Sequence, residues 1–81
     1  MGRVMATDIH TTVRGAVATV LERDLNDIAL EHTFDELHAD ELDAIQIIMK
    51  LEETYLIEIS DTDAEHLTCV SSLISYLQER V

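Results

Sequence analysis

Asp40-Glu41-Leu42-Asp43-Ala44-Ile45-Gln46-Ile47-Ile48-Met49-Lys50-Leu51-Glu52-Glu53-Thr54-Tyr55 is the stretch that decides the fold of this 81-residue chain. It holds no glycine or proline, and Leu42, Ala44, Ile45, Ile47, Ile48, Met49, Leu51 and Tyr55 recur at helical spacing. The helix starts near Asp40, and Asp43 falls in its first turn, where a carboxylate favours the positive end of the helix dipole. Projected at about 100° per residue, the apolar set covers an arc of roughly 220° and leaves Asp43, Gln46, Lys50 and Glu53 outside it. Packing on one neighbour needs less than that. Either the helix is gripped from two sides, or part of its apolar arc is left for a partner.

Upstream, Ile9, Val13, Ala16, Val17, Val20 and Leu21 form a second helical stripe, with Thr7 or Asp8 as its N-cap and a flexible N-terminus at 1–6. From Arg23 to Ala39 the periodicity fades, and Asp24, Asn26, Asp27, His32 and Thr33 suit a long loop. Loops of that length in small domains are functional or contain a hidden turn of helix. Downstream, Tyr55 to Ser60 crosses between elements, and Ser60 or Asp61 caps a brief helix through Leu67. A last helix from Thr68 carries Val70, Leu73, Ile74, Leu77 and Val81 on one face. The pattern predicts an all-α single domain over 7–81, with three full helices and a short third one.

Composition agrees and excludes much else. Apolar residues are 47% of the chain, which rules out wholesale disorder, while absent proline, two glycines and 4% aromatics lean away from a turn-rich β-fold. Seventeen acidic residues against five basic ones give a formal net charge of −12. Residues 31–66 hold twelve of those acids and Lys50 alone among the bases, a net of −11. So concentrated a field repels nucleic-acid phosphates and anionic membrane surfaces and steers basic protein surfaces. Cys69 has no thiol partner for an internal disulfide, no apolar run approaches the roughly 18–20 residues of a membrane span, and no signal-peptide core follows Met1. A cytoplasmic monomer is expected, without nucleic acid or membrane as partner.

Catalytic and metal chemistry find no support. His10, His32, His38 and His66 share no ligand spacing, so no metal site is expected. Asp61-Thr62-Asp63-Ala64-Glu65 opens like a calcium loop, but His66 stands where the sharp turn needs glycine and Ser72 where the bidentate glutamate belongs. No nucleophile, base and oxyanion donors fall into a pattern, and there is no phosphate-cradling glycine loop. Cys69, beside the last helix's stripe, suits a small buried hydrophobe. No catalytic residue is assigned, and the chain is not expected to be an enzyme.

The run from Phe34-Asp35-Glu36-Leu37-His38-Ala39 through Asp40-Glu41-Leu42-Asp43-Ala44-Ile45 resembles the prosthetic-group segment of acyl carrier proteins. In that family the pattern reads Leu-Gly-x-Asp-Ser-Leu at the start of the second helix. The resemblance continues through Met49-Lys50-Leu51-Glu52-Glu53, Ile57-Glu58-Ile59-Ser60-Asp61, Asp63-Ala64-Glu65 and Leu67-Thr68-Cys69-Val70, about residues 7–80 in one register. It implies an acyl-carrier-like four-helix bundle with a long first loop. Members carry acyl or polyketide chains on 4'-phosphopantetheine, attached to the serine that opens helix II, within fatty acid or polyketide biosynthesis. The resemblance also implies docking to basic surfaces of synthase or transferase enzymes through Asp40, Asp43, Glu52, Glu53, Asp61 and Glu65, with Leu42 and Met49 as apolar contacts.

Glu41 occupies the place of the modified serine and has no hydroxyl to take the arm. His38 replaces the usual glycine, and Gln46 stands where the family has another acid. Ser60, Ser71, Ser72 and Ser75 lie elsewhere in the register. No 4'-phosphopantetheine is therefore expected on this chain as written, although it is the family cofactor. Three readings follow: a natural arm-less homologue that keeps the docking surface, a carrier altered to stay unmodified, or an acidic interaction module or nucleic-acid charge mimic unrelated to acyl transfer. Departure at both His38 and Glu41 favours the first over the second, because a deliberate block needs one substitution.

The charge distribution has a direct thermal consequence. Like-charge repulsion within residues 31–66 opposes the compact state, and counterions relieve it. Raising sodium chloride from low to physiological strength should raise the melting temperature, with magnesium acting at lower concentration; a melting temperature indifferent to both would contradict this.

Overall fold

The central helix begins where a cap can be built. Asp40, in extended backbone, accepts the Asp43 N–H at 2.8 Å, and the Asp43 carboxylate accepts the Asp40 N–H at 3.3 Å. This reciprocal capping box satisfies two backbone donors and places α2 at Glu41–Tyr55. The computed structural model describes residues 6–80. It has α1 over Ala6–Leu21, a 3-10 turn at Leu25–Asp27, then α2, α3 over Asp61–Glu65 and α4 over Val70–Arg80. The all-α reading with a long first loop and a short third helix holds.

α1 packs against both α2 and α4. Its inward face buries Ile9, Val13, Ala16 and Val17 against Ile47, Ile48 and Leu51 of α2 and Val70, Leu73, Ile74 and Leu77 of α4. Truncating any of the fully buried leucines (Leu51, Leu73 or Leu77) to alanine would leave a cavity costing about 2–5 kcal/mol. α2 buries only part of its apolar arc. Leu42, Ile45 and Met49 remain 60%, 48% and 52% exposed. Part of the broad arc is therefore left exposed to solvent.

The long loop is tied down rather than slack. The Arg14 guanidinium donates to the Ile28 carbonyl at 2.8 Å and the Leu25 carbonyl at 3.0 Å, and Ile28 is wholly buried. Farther on, the carbonyls of His32 and Leu30 each accept an N–H from the first turn of α4, from Val70 and Ser71, both at 3.0 Å. The Phe34 N–H donates to the Thr68 carbonyl at 2.9 Å, and Thr33 and Cys69 form an isolated antiparallel bridge. Those bonds hold 68 and 69 out of the helix, so α4 starts at Val70 instead of Thr68.

Other boundaries shift for local reasons. α1 is already helical at Ala6, so Thr7 and Asp8 lie inside it rather than capping it. Ala6 aside, the expected flexible N-terminus falls outside the described residues, as does Val81. Ser60 accepts the Asp63 N–H at 3.1 Å and caps α3, as expected, but His66 closes that helix short of Leu67. Cys69 is only half-buried. Its N–H donates to the Ser72 hydroxyl, its thiol lies 3.2 Å from the Ser71 hydroxyl, and Ser71 followed by Ser72 lowers the thiol from its ordinary range. It belongs to the start of α4, not to the core.

Three turns use left-handed backbone without glycine: Glu22, His38 and Leu56, at φ of 57°, 61° and 57°. Around His38 the reason is visible. Thr33 and Glu36 exchange side-chain-to-backbone bonds of 2.9 and 3.1 Å, and a single helical turn follows. That turn closes with Ala39 N–H to the Phe34 carbonyl and His38 N–H to the Asp35 carbonyl, the paired bonds of a Schellman ending. Such an ending asks for glycine, because a Cβ costs roughly 1–2 kcal/mol in the left-handed region. Meanwhile Gly15 sits inside α1, where an added Cβ would meet nothing within 4 Å.

Glycine is thus placed where it costs and absent where it would help. Leu56 is 90% exposed, so its side chain contributes little by burial. Gly15→Ala and Leu56→Gly should each raise unfolding stability by about 0.5–1 kcal/mol. The check is a urea midpoint that rises with an unchanged slope; a fall in either midpoint would contradict the assignment.

Candidate functional site

The unpartnered side of α2 forms one wall of an open cleft, and α3 forms the other. Its volume is about 640 Å³. The apolar lining comes from Ala44, Ile45, Ile48 and Met49 on α2, from Ala64 on α3, and from Phe34, Ile59 and Leu67 in the connecting segments. Thr68 and the carboxylates of Glu41, Glu52, Asp61 and Glu65 complete it. Chemically this is an apolar trough edged by negative charge, suited to hold an apolar group while repelling anions.

The structure divides the sequence-predicted residues into three sets. Glu41, Met49, Glu52, Asp61 and Glu65 all meet at the cleft. Leu42 and Glu53 are exposed on α2 but do not line it. Asp40 and Asp43 each give one carboxylate oxygen to the other's backbone N–H in the capping box and do not line the cleft.

Glu52 has a second commitment. Its Oε2 accepts the Ile59 N–H at 2.8 Å, and its own carbonyl receives the Leu56 and Ile57 N–H groups at the end of α2. It is half-buried and holds the α2–α3 connection in place, a structural duty that a reading by charge alone does not reveal. Sequence reasoning also placed Ile45 and Ile48 only in a general apolar arc and left out Phe34, Ile59 and Leu67. The excess width of that arc was the signal available for Ile45; the others depend on how the chain returns across α2.

Glu41 is the first residue of α2 and is exposed at the cleft's edge. Its carboxylate accepts hydrogen bonds and carries charge but offers no hydroxyl. The serines do not stand in for one there. Ser60 caps α3, Ser71 and Ser72 are bonded around Cys69, and Ser75 lies exposed on α4. None of them lines the cleft. Glu41 itself therefore does not fit covalent attachment of a phosphate-linked arm through a hydroxyl at position 41.

Histidine and tyrosine find ordinary uses. His32 Nδ1 accepts the Ala29 N–H at 3.0 Å, and His66 closes α3. Tyr76 on α4 donates its hydroxyl to Asp63 Oδ2 on α3 at 2.7 Å. Burial, then the Asp63 bond, pushes the Tyr76 hydroxyl above its usual range, which keeps it a donor. No helix in the described residues is long and apolar enough to cross a membrane.

Residues 11–77 match the family described as the phosphopantetheine attachment site. Among curated proteins, the chain is similar to the acyl carrier protein of Helicobacter hepaticus, 35% identical over 72 residues that cover 88% of this chain and 95% of that one. The acyl carrier protein of Exiguobacterium sp. is 37% identical, with 90% and 94% covered, and that of Chlamydia trachomatis serovar D is 39% identical, with 89% and 95% covered. Family match, near full-length relatives and the observed bundle agree: the chain belongs to the acyl carrier protein family, whose members carry rather than catalyse.

Proposed function

We propose that this chain is an arm-less acyl carrier homologue that docks to synthase or transferase enzymes of fatty acid or polyketide-type biosynthesis, as a scaffold or regulator. The observation that carries this reading is Glu41. It opens α2 at the mouth of the cleft, directly after the Asp40 cap and before exposed Leu42, the place where the family pattern has its serine. A carboxylate there gains about 0.3–1 kcal/mol from the helix dipole and supplies no nucleophile. In the same acidic segment, Glu53, Asp61 and Glu65 stay exposed.

Docking then has two components. Exposed Glu53, Asp61 and Glu65, within the segment of net charge −11, accelerate encounter with a basic surface over about 8 Å at physiological salt. Leu42, Ile45 and Met49, exposed along one side of α2, give that surface an apolar strip to cover. The segment sets twelve acids against Lys50 beside a short apolar row, and a cytoplasmic, monomeric partner-seeking protein is the form this reading takes.

Two measurements test the proposal. Incubated with coenzyme A and a broad phosphopantetheinyl transferase, the chain should show no mass increase, whereas Glu41→Ser should gain one pantetheine phosphate. The substitution lies at an exposed helix start and should cost less than about 1 kcal/mol. Modification of the unsubstituted chain would overturn the assignment of position 41.

The docking face is tested separately. Combined charge reversal at Glu53, Asp61 and Glu65 should slow association with a carrier-dependent enzyme by about tenfold at low salt, and less at high salt. Reversal at Glu22 and Asp24, outside the acidic segment, should have a much smaller effect. Equal losses from both sets would leave only non-specific attraction.

A further inference from the structure

The first loop meets the head of α4 at one turn, residues 29–32. Its backbone closes with the His32 N–H on the Ala29 carbonyl at 3.2 Å, and a side chain closes it again, because the imidazole Nδ1 accepts the Ala29 N–H at 3.0 Å. The Leu30 and His32 carbonyls of this turn accept the Ser71 and Val70 N–H groups, both at 3.0 Å. Before the turn, Arg14 grips the Ile28 carbonyl at 2.8 Å; after it, the Phe34 N–H reaches the Thr68 carbonyl at 2.9 Å. Between those braces, the imidazole is the side chain that shapes the surface offered to α4.

We propose that His32 is a pH-sensitive latch between the first loop and α4, closed while Nδ1 is free to accept and opened when that atom takes a proton. A neutral imidazole has one acceptor nitrogen, and an imidazolium has none. With the Ala29 N–H on Nδ1, the neutral ring carries its hydrogen on Nε2. A proton added to Nδ1 sets two N–H groups against each other, and the side-chain closure is lost. The Leu30 and His32 carbonyls then lose the turn that presents them to Ser71 and Val70. The latch is therefore closed towards about pH 8 and open towards about pH 5, the range in which histidine ordinarily titrates.

The charged and titratable groups on the segments bonded to this turn come from three places. Asp27, Glu31, Asp35 and Glu36 flank it in the loop, Arg14 reaches it from α1, and Cys69 stands at the head of α4 through its bridge to Thr33. None of them is bonded to the imidazole among the described residues. In the closed turn the ring is committed to Ala29, whereas in the open one an imidazolium is free to approach the carboxylates. Arg14 keeps its charge throughout. Cys69 is the competing titrant, since Ser71 followed by Ser72 holds its thiol below the ordinary range. Acid also reduces the negative charge of the whole chain and relieves its repulsion, so the global effect has the opposite sign and a local measurement is needed.

Amide hydrogen exchange supplies it, with each rate divided by that of an unstructured peptide at the same pH. In the unsubstituted chain, protection at Ala29, Val70 and Ser71 should fall about fivefold between about pH 8 and pH 5.5, while Val13 and Val17 in α1 show no fall. The midpoint should coincide with the titration of the His32 ring followed by its own nitrogen shifts. His32→Asn places an oxygen on Cγ where Nδ1 stands, an acceptor that does not titrate, and should make protection at the three amides flat across the same range. Cys69→Ser should leave the fall in place. A flat profile in the unsubstituted chain overturns the latch, as does a midpoint apart from that of the His32 ring. A fall that persists in His32→Asn, or disappears in Cys69→Ser, overturns the assignment to His32. If His32→Asn does not fold, the agreement or disagreement of the two midpoints decides alone.

Discussion

Arg14 holds two backbone carbonyls of the first loop, and the remainder of the architecture follows from that grip. With Leu25 and Ile28 fixed to α1, the Ile28 side chain enters the core and the following residues run alongside the start of α4. That path brings Thr33–Ala39 into its single helical turn and delivers Asp40 to the beginning of α2. A guanidinium is suited to the task, because its planar fork can satisfy separated carbonyls at once. In a chain with only five basic residues, one is spent here and another, Arg80, at the junction of α3 and α4. Cations are used inside the scaffold, so few remain to offset the acids of α2 and α3.

Much of the fold was legible because periodicity and burial agree. The α1 and α4 stripes name their own core residues, and the Asp40 start of α2 follows from its acidic first turn. The width of the α2 arc signals an exposed strip, since Leu42, Ile45 and Met49 are exposed while Ile47, Ile48 and Leu51 are not. What could not be read were contacts between segments distant in sequence. Val70 and Ser71 are capped by carbonyls about forty residues earlier, which no local cap rule anticipates, and so the start of α4 was misplaced.

The candidate site shows the same division. The position of Glu41 at the head of α2 is local and was legible, as was the acidic character of α3. The roles of individual acids were not, because net charge treats every carboxylate alike. Asp40 and Asp43 serve a cap, Glu36 the Thr33 N–H, Glu52 a loop and Asp63 the α4 tyrosine, leaving Glu31, Asp35, Glu41, Glu53, Glu58, Asp61 and Glu65 without a side-chain bond among the described residues. The acids of the middle segment are therefore two populations. One stabilises the bundle through directed bonds, and the other supplies the field.

The backbone bonds from Leu30 and His32 to the start of α4 also bear on how the chain folds. α4 has eleven residues and no oxygen-bearing side chain at Cys69 to accept its first N–H groups. An isolated helix of that length is marginal in water, and its nucleation is the costly step. Its first turn is completed only when the loop has already been folded back by α1. The C-terminal helix and the first loop therefore support each other, and local opening of the loop leaves the first N–H groups of α4 without their carbonyl partners. A segment that looks like a passive connector is thus a cooperative partner of the helix most distant from it in sequence.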